Sequence, residues 1–138
     1  MNCFSLAQAP IDIAALRLQL EDPHCGAIVC FEGVVRDHND GRDVLRLEYQ
    51  SYAELAVSEG QAIVDAAAAS VAVRRIVCVH RVGTLAIGDI AVWVGIAAAH
   101  RGPAFEACRR VIDEVKLRVP IWKNEHYVDG DSGWIHPM

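Results

Sequence analysis

The sequence predicts an α+β fold with a mainly antiparallel sheet and flanking helices. Three observations carry that reading. Short apolar, β-branched runs recur between Gly, Asp and Pro turn signals. Two longer stretches with helical apolar spacing separate them. The 138 residues, 53% hydrophobic and 22% charged, have the composition of a packed globular chain. No repeat, linker or low-complexity tract divides them, so one domain over 1–138 is expected.

In chain order, residues 3–8 read as a short strand. Residues 11–20 follow Pro10 with apolar positions at 13, 16 and 20, a helical spacing that Asp22-Pro23 stops. Residues 26–36, G-A-I-V-C-F-E-G-V-V-R, read as a buried strand, with the lone Gly33 marking a bulge. The polar cluster D-H-N-D-G-R-D carries an Asp-Gly turn signal, and 44–50 alternates as V-L-R-L-E-Y-Q. Together these predict a long antiparallel hairpin. Residues 53–70, rich in Ala, Glu and Gln, form a helix that tolerates Gly60 at some cost. A strand follows at 73–82, then a turn bracketed by Gly83 and Gly88, then a buried strand at 90–99. Pro103 suits the first turn of the next helix, whose apolar positions 105, 108, 112, 115 and 119 trace one face. Pro120 ends it, P-I-W-K-N-E runs extended, and a short strand around Trp134-Ile135 closes the chain.

Composition excludes several classes. A net charge of −5 lacks the clustered basic excess of a nucleic-acid-binding surface. The apolar run 90–99 is about half of a membrane span. The N-terminus M-N-C-F-S-L has no basic n-region or long apolar core, so no signal peptide is read there. Five cysteines without a C-x-x-C pair suggest free thiols of a reducing cytoplasm, mostly buried as small hydrophobes. Only Cys108, followed by Arg109-Arg110, comes near the basic setting of a reactive thiol. The six histidines show no metal-ligand spacing, and no Walker A, G-x-S-x-G or dinucleotide glycine motif is present. No metal and no cofactor are therefore expected.

The basic residues are uneven in kind: eleven arginines but only two lysines, Lys116 and Lys123, both within V-K-L-R-V-P-I-W-K-N-E. Lys116 falls in the last turn of its helix, where a cation complements the helix C-terminus. Lys123 emerges from an extended apolar segment. Pro120 turns the chain between them, so the two can converge. Two close ammonium groups in a partly apolar pocket depress each other's pKa, and a lysine near neutrality can act as nucleophile or acid/base. Arg36 ends a strand, and His100-Arg101 precedes a helix N-terminus whose free N–H groups favour an anion. A surface ion pair explains Arg101 about as well.

The segments F-E-G-V-V-R-D-H-N, L-E-Y-Q-S-Y, H-R-V-G, A-A-H-R-G-P-A-F-E-A-C and K-L-R-V-P-I-W-K-N-E, in this order over about residues 25–135, resemble the catalytic (large) subunit family of molybdopterin synthase. The resemblance implies an α/β-hammerhead fold and a sulfurtransferase of molybdenum cofactor biosynthesis. Such an enzyme converts a cyclic pyranopterin monophosphate to molybdopterin. Its sulfur comes from the thiocarboxylated C-terminus of a small ubiquitin-like subunit, in a heterotetramer built on a homodimer of the large subunit. By motif, Lys116 and Lys123 match the family's active-site lysines. Val34, Val35, Arg36, His100, Arg101, Asn124 and Glu125 match substrate-contacting positions, with Phe31 in the same strand as the first three. Two departures are visible. Family members often carry a basic tail beyond the final Trp strand, where this sequence reads Ile135-His136-Pro137-Met138. Position 124 is Asn where a basic residue is often found, which weakens phosphate binding slightly. The rival readings are a non-catalytic module docking a ubiquitin-like tail and a lysine Schiff-base enzyme. The first leaves Arg36 and His100-Arg101 without a phosphate, and nothing in the sequence specifies a cofactor for the second.

Overall fold

The computed structural model describes residues 2–135; the tail residues His136, Pro137 and Met138 lie outside them. The described elements are β1 (Asn2–Ala7), α1 (Ile13–Gln19), β2 (Ala27–Val34), β3 (His38–Asn39), β4 (Arg42–Ser51), α2 (Ala53–Ser70), β5 (Arg75–Arg81), β6 (Gly83–Ala86), β7 (Ile90–Ala98), α3 (Arg101–Arg118), β8 (Ile121–Tyr127) and β9 (Ser132–Ile135). The fold is α+β, and β1 with β5 is the one parallel pair among the described strands.

Two sheets form. The first has the order β1-β5-β7-β2; the second runs β3-β4-β8-β9, with β6 also paired to β4. Central strands β5 and β7 are covered on both faces, which explains their unbroken apolar runs. On one face Ile76, Cys78, Val92, Val94 and Ile96 pack with Ile63 and Val64 of α2 and Ala104, Val111 and Val115 of α3. On the other, Val77, Val79, Trp93 and Ala97 enclose Leu20 with Ile13 and Leu16 of α1. Gly95 is required there: a Cβ on it would lie 2.6 Å from Leu20 and collide with the Trp93 ring.

The expected long hairpin is not what forms. β2 pairs along its length with β7, and β4 belongs to the second sheet, between β8 and β6. The Asp-Gly signal is a true hairpin turn, with positive φ at Asp40 (50°) and Gly41 (74°), but it joins β4 to the two-residue β3. The cause lies at Gly33/Val34, where the register of β2 against β7 shifts. Beyond that bulge Val35 is held across β7's approach by bonds to Asp89 O and from Gly88 N (2.9 and 2.8 Å), and the chain leaves the first sheet. Between Gly83 and Gly88, where the sequence predicts a turn, the chain also forms a strand, β6.

Helix α3 buries the expected face at Cys108, Ile112, Val115 and, just past its end, Val119, and departs from it only at Phe105. Its buried residues are Ala104, Ala107, Cys108, Val111, Ile112 and Val115, whereas Phe105 is 61% exposed. Alanines let α3 approach β7, β2 and α2 closely, and a large ring would not fit between them. Among the described residues no helix is long and apolar enough to cross a membrane.

Candidate active site

The second sheet, the C-terminal half of α3 and the adjoining ends of β2, β5 and β7 enclose a cavity of about 460 Å³. Pro120 makes it possible. Helix α3 ends at Arg118, Val119 takes an extended backbone, and β8 starts at Ile121. Lys116 thus stands on the last turn of α3 and Lys123 on β8, and both line the cavity.

The strand register decides what joins them. On β8, Lys123 lies opposite Tyr49 of β4 and Glu125 opposite Leu47, so these four side chains share one face. All four line the cavity, with Val34, Val35 and Arg36 from the end of β2 and its loop, and His38 and Asn39 from β3. Asn124 falls between Lys123 and Glu125 and points to the opposite face, beside Glu48 and Trp134 in register; it is buried and does not line the cavity. His80, at the end of β5, closes the floor.

His100 and Arg101 stand elsewhere. They flank the N-terminus of α3 and line a separate depression with Gly26, Ala27 and Pro103. Lys116 lies fifteen helical steps beyond Arg101, a rise of about 22 Å, well beyond the reach of an arginine side chain. Within one chain the lysines and Arg36 meet, and His100-Arg101 do not join them.

The electrostatics follow from placement. Lys116 is half-buried, and its pKa is lowered first by burial, then by the charges of Lys123 and Arg36. His80 is 6% exposed and its Nδ1 lies 2.7 Å from the carbonyl of Arg81. A carbonyl only accepts, so Nδ1 carries the proton and Nε2 is left as a lone pair. Burial, with a smaller push from Lys116, brings the His80 pKa down to about 4, so the ring is neutral at pH 7. Tyr49 packs edge-on to it, centroids 5.1 Å apart, and burial and then Glu125 raise its hydroxyl to about 12. Glu125 is 2% exposed and accepts from Asn39 Nδ2 at 2.6 Å. The cavity therefore holds three cations, Glu32 and Glu125 as its carboxylates, and two buried aromatic groups locked in neutral form.

Cys108 is buried and its thiol raised to about 11 by burial, so it is no nucleophile; burial raises the Cys78 thiol as well. Cys30, expected inside a buried strand, is exposed because β2 is an edge of its sheet. Among the described residues no group of three His, Cys, Asp or Glu is placed to hold a metal.

Sequence reasoning had not singled out Asn39, Tyr49 or His80 as site residues. All three lie inside matched motifs, but their meeting depends on how the two sheets come together, which no local pattern displays.

An α+β scaffold with two lysines and an arginine converging in one cleft has the charge and shape that suit a small anionic molecule. The family follows from comparison: the model described as "MoaE protein" matches residues 6–118, and the chain belongs to that family. The molybdopterin synthase catalytic subunit of a Nostoc species is 41% identical over 135 residues, 97% of this chain and 82% of that one. The crystal structure of molybdopterin synthase from Staphylococcus aureus superposes with a TM-score of 0.88 at 34% identity, covering 96% of both chains. A complex of subunits 1 and 2 of molybdopterin-converting factor from Helicobacter pylori shares the fold, with a TM-score of 0.76 at 20% identity over 96% of this chain and 88% of that one.

Proposed function

We propose that this chain, acting as one domain, is the catalytic subunit of a cytoplasmic molybdopterin synthase. It takes a cyclic pyranopterin monophosphate as substrate and receives sulfur from the thiocarboxylated tail of a small ubiquitin-like subunit. The observation that supports this most is the meeting of Lys116, Lys123 and Arg36 in one cavity, with no reactive thiol of the chain's own beside them. A sulfur donor brought by another protein makes such a thiol unnecessary.

The roles follow from charge and burial. Arg36 offers a planar fork of donors that suits a phosphate. Lys123 and Lys116 orient the thiocarboxylate and stabilise the negative charge on the oxygen that the pterin side-chain carbon gives up as sulfur bonds to it; water then cleaves the acyl–sulfur bond, leaving sulfur on the pterin and the tail as a carboxylate. Lys116, with its lowered pKa, is the better proton carrier of the pair. Val34 and Val35 flank the ring system, and Glu125 holds the cationic wall in place. Asn124, on the far face of β8, supports the strand rather than the substrate. His100 and Arg101 contact a ligand in this cavity only when a second copy presents them, as the homodimer implied by the family pattern allows.

The test is reconstitution. The chain, mixed with its thiocarboxylated partner and the precursor, yields the dithiolene product, and calorimetry shows the precursor binding to the chain. Absence of precursor binding would leave the tail-docking module as the better reading.

A further inference from the structure

Arg36 sits on the exposed loop after β2, and its long side chain loses freedom whenever it grips an anion, unless something holds it beforehand. Asn39 supplies such a hold. Its Oδ1 accepts from Arg36 Nη2 at 3.2 Å, and its Nδ2 donates to Glu125 Oε1 at 2.6 Å. The amide has one possible orientation here, because a guanidinium only donates and a carboxylate only accepts.

Both ends of the bridge are fixed by the fold. Asn39 is the last residue before the Asp40-Gly41 turn and pairs with Arg42. Glu125 is buried on β8, a strand held on both sides by β4 and β9, and takes a longer bond, 3.5 Å, from the Tyr127 hydroxyl. The amide's neutrality matters as much as its reach. A carboxylate at this position would form an ion pair with Arg36, cancel its charge, and stand against Glu125. An amide orients the arginine and leaves its charge for a ligand.

We propose that Asn39 is a positioning residue of the site, bridging Arg36 to the buried Glu125 so that the guanidinium stands ready for the anionic group of the substrate. This rests on the reading of the cavity as a pterin phosphate site.

The experiment is a double-mutant cycle on the full chain with its thiocarboxylated partner. Precursor KM, kcat and calorimetric Kd are measured for wild type, Asn39→Ala, Asn39→Asp, Arg36→Ala and the Arg36→Ala/Asn39→Ala pair. Asn39→Ala is expected to raise KM and Kd about tenfold, the scale of one hydrogen bond to a charged group, with kcat within about twofold. Asn39→Asp, which keeps the shape, raises them further. In the Arg36→Ala background, Asn39→Ala adds nothing, because its effect runs through the arginine. An equal loss in both backgrounds would mark a merely structural role and overturn the proposal. So would unchanged KM in both Asn39 variants. A wild-type chain that neither binds nor converts the precursor would sink the functional reading instead, which keeps the two failures distinct.

Discussion

Lys116 is worse off charged in the folded chain than in the unfolded one, since burial, Lys123 and Arg36 all oppose its ammonium. Below its ordinary pKa of 10.5 the unfolded state therefore holds that proton more readily, and the lysine works against folding at neutral pH. Lys116→Met is expected to raise the melting temperature while abolishing product formation, a trade between stability and activity that thermal scans and turnover assays read separately. His80 has the opposite consequence at lower pH. Its ring is neutral in the fold, with a pKa near 4 against 6.5 in the unfolded chain. The stability this gives is complete above pH 6.5 and is lost as pH falls toward 4, a total of about 3 kcal/mol. Urea denaturation at pH 7 and 4.5 should show that loss in wild type and a much flatter response in His80→Gln. Equal losses in both would contradict the assignment. The lysines were legible in sequence because both lie within eight residues of each other around a proline. His80 was not: its neutrality comes from burial, a property of packing rather than of the H-R-V-G string around it.

At the level of elements, composition revealed most helices and strands but not which of them meet. Helix 53–70 was readable to the residue because its run rich in Ala, Glu and Gln lies between the alternating strand pattern of 44–50 and the β-branched run that begins at Val71. The pairing of β2 was not readable: a bulge at Gly33/Val34 diverts the chain, and the Asp-Gly turn serves a strand of only two residues. Phe105 misled in a related way. Its size suggested the buried face of α3, whereas close packing selects the alanines beside it. Gly60 shows how such contacts can reverse a propensity argument. Within α2 a glycine costs up to ~1 kcal/mol relative to alanine. Yet a Cβ there would collide with the ring of Phe4 on β1. Gly60→Ala is therefore expected to destabilise by about 1–3 kcal/mol in chemical denaturation, the range of overpacking. A stabilised variant would show that Phe4 can move aside freely.

The whole molecule sets a cationic cleft in an acidic protein. Net charge is −5, yet Arg36, Lys116 and Lys123 face one cavity against two carboxylates. The field at the site is local, built where α3, the second sheet and the end of β2 meet, and overall charge does not foretell it. What sequence did carry was the choice of lysine at two positions in a chain that otherwise uses arginine. Arginine keeps a positive charge but cannot give up a proton in a protein. The most direct test of the account is product formation by Lys116→Arg and Lys123→Arg with thiocarboxylated partner and precursor, alongside precursor binding. The account predicts that both variants fold and bind the precursor, and that turnover falls by at least about a hundredfold, the scale of lost acid–base and oxyanion assistance. Wild-type turnover in both arginine variants would contradict it.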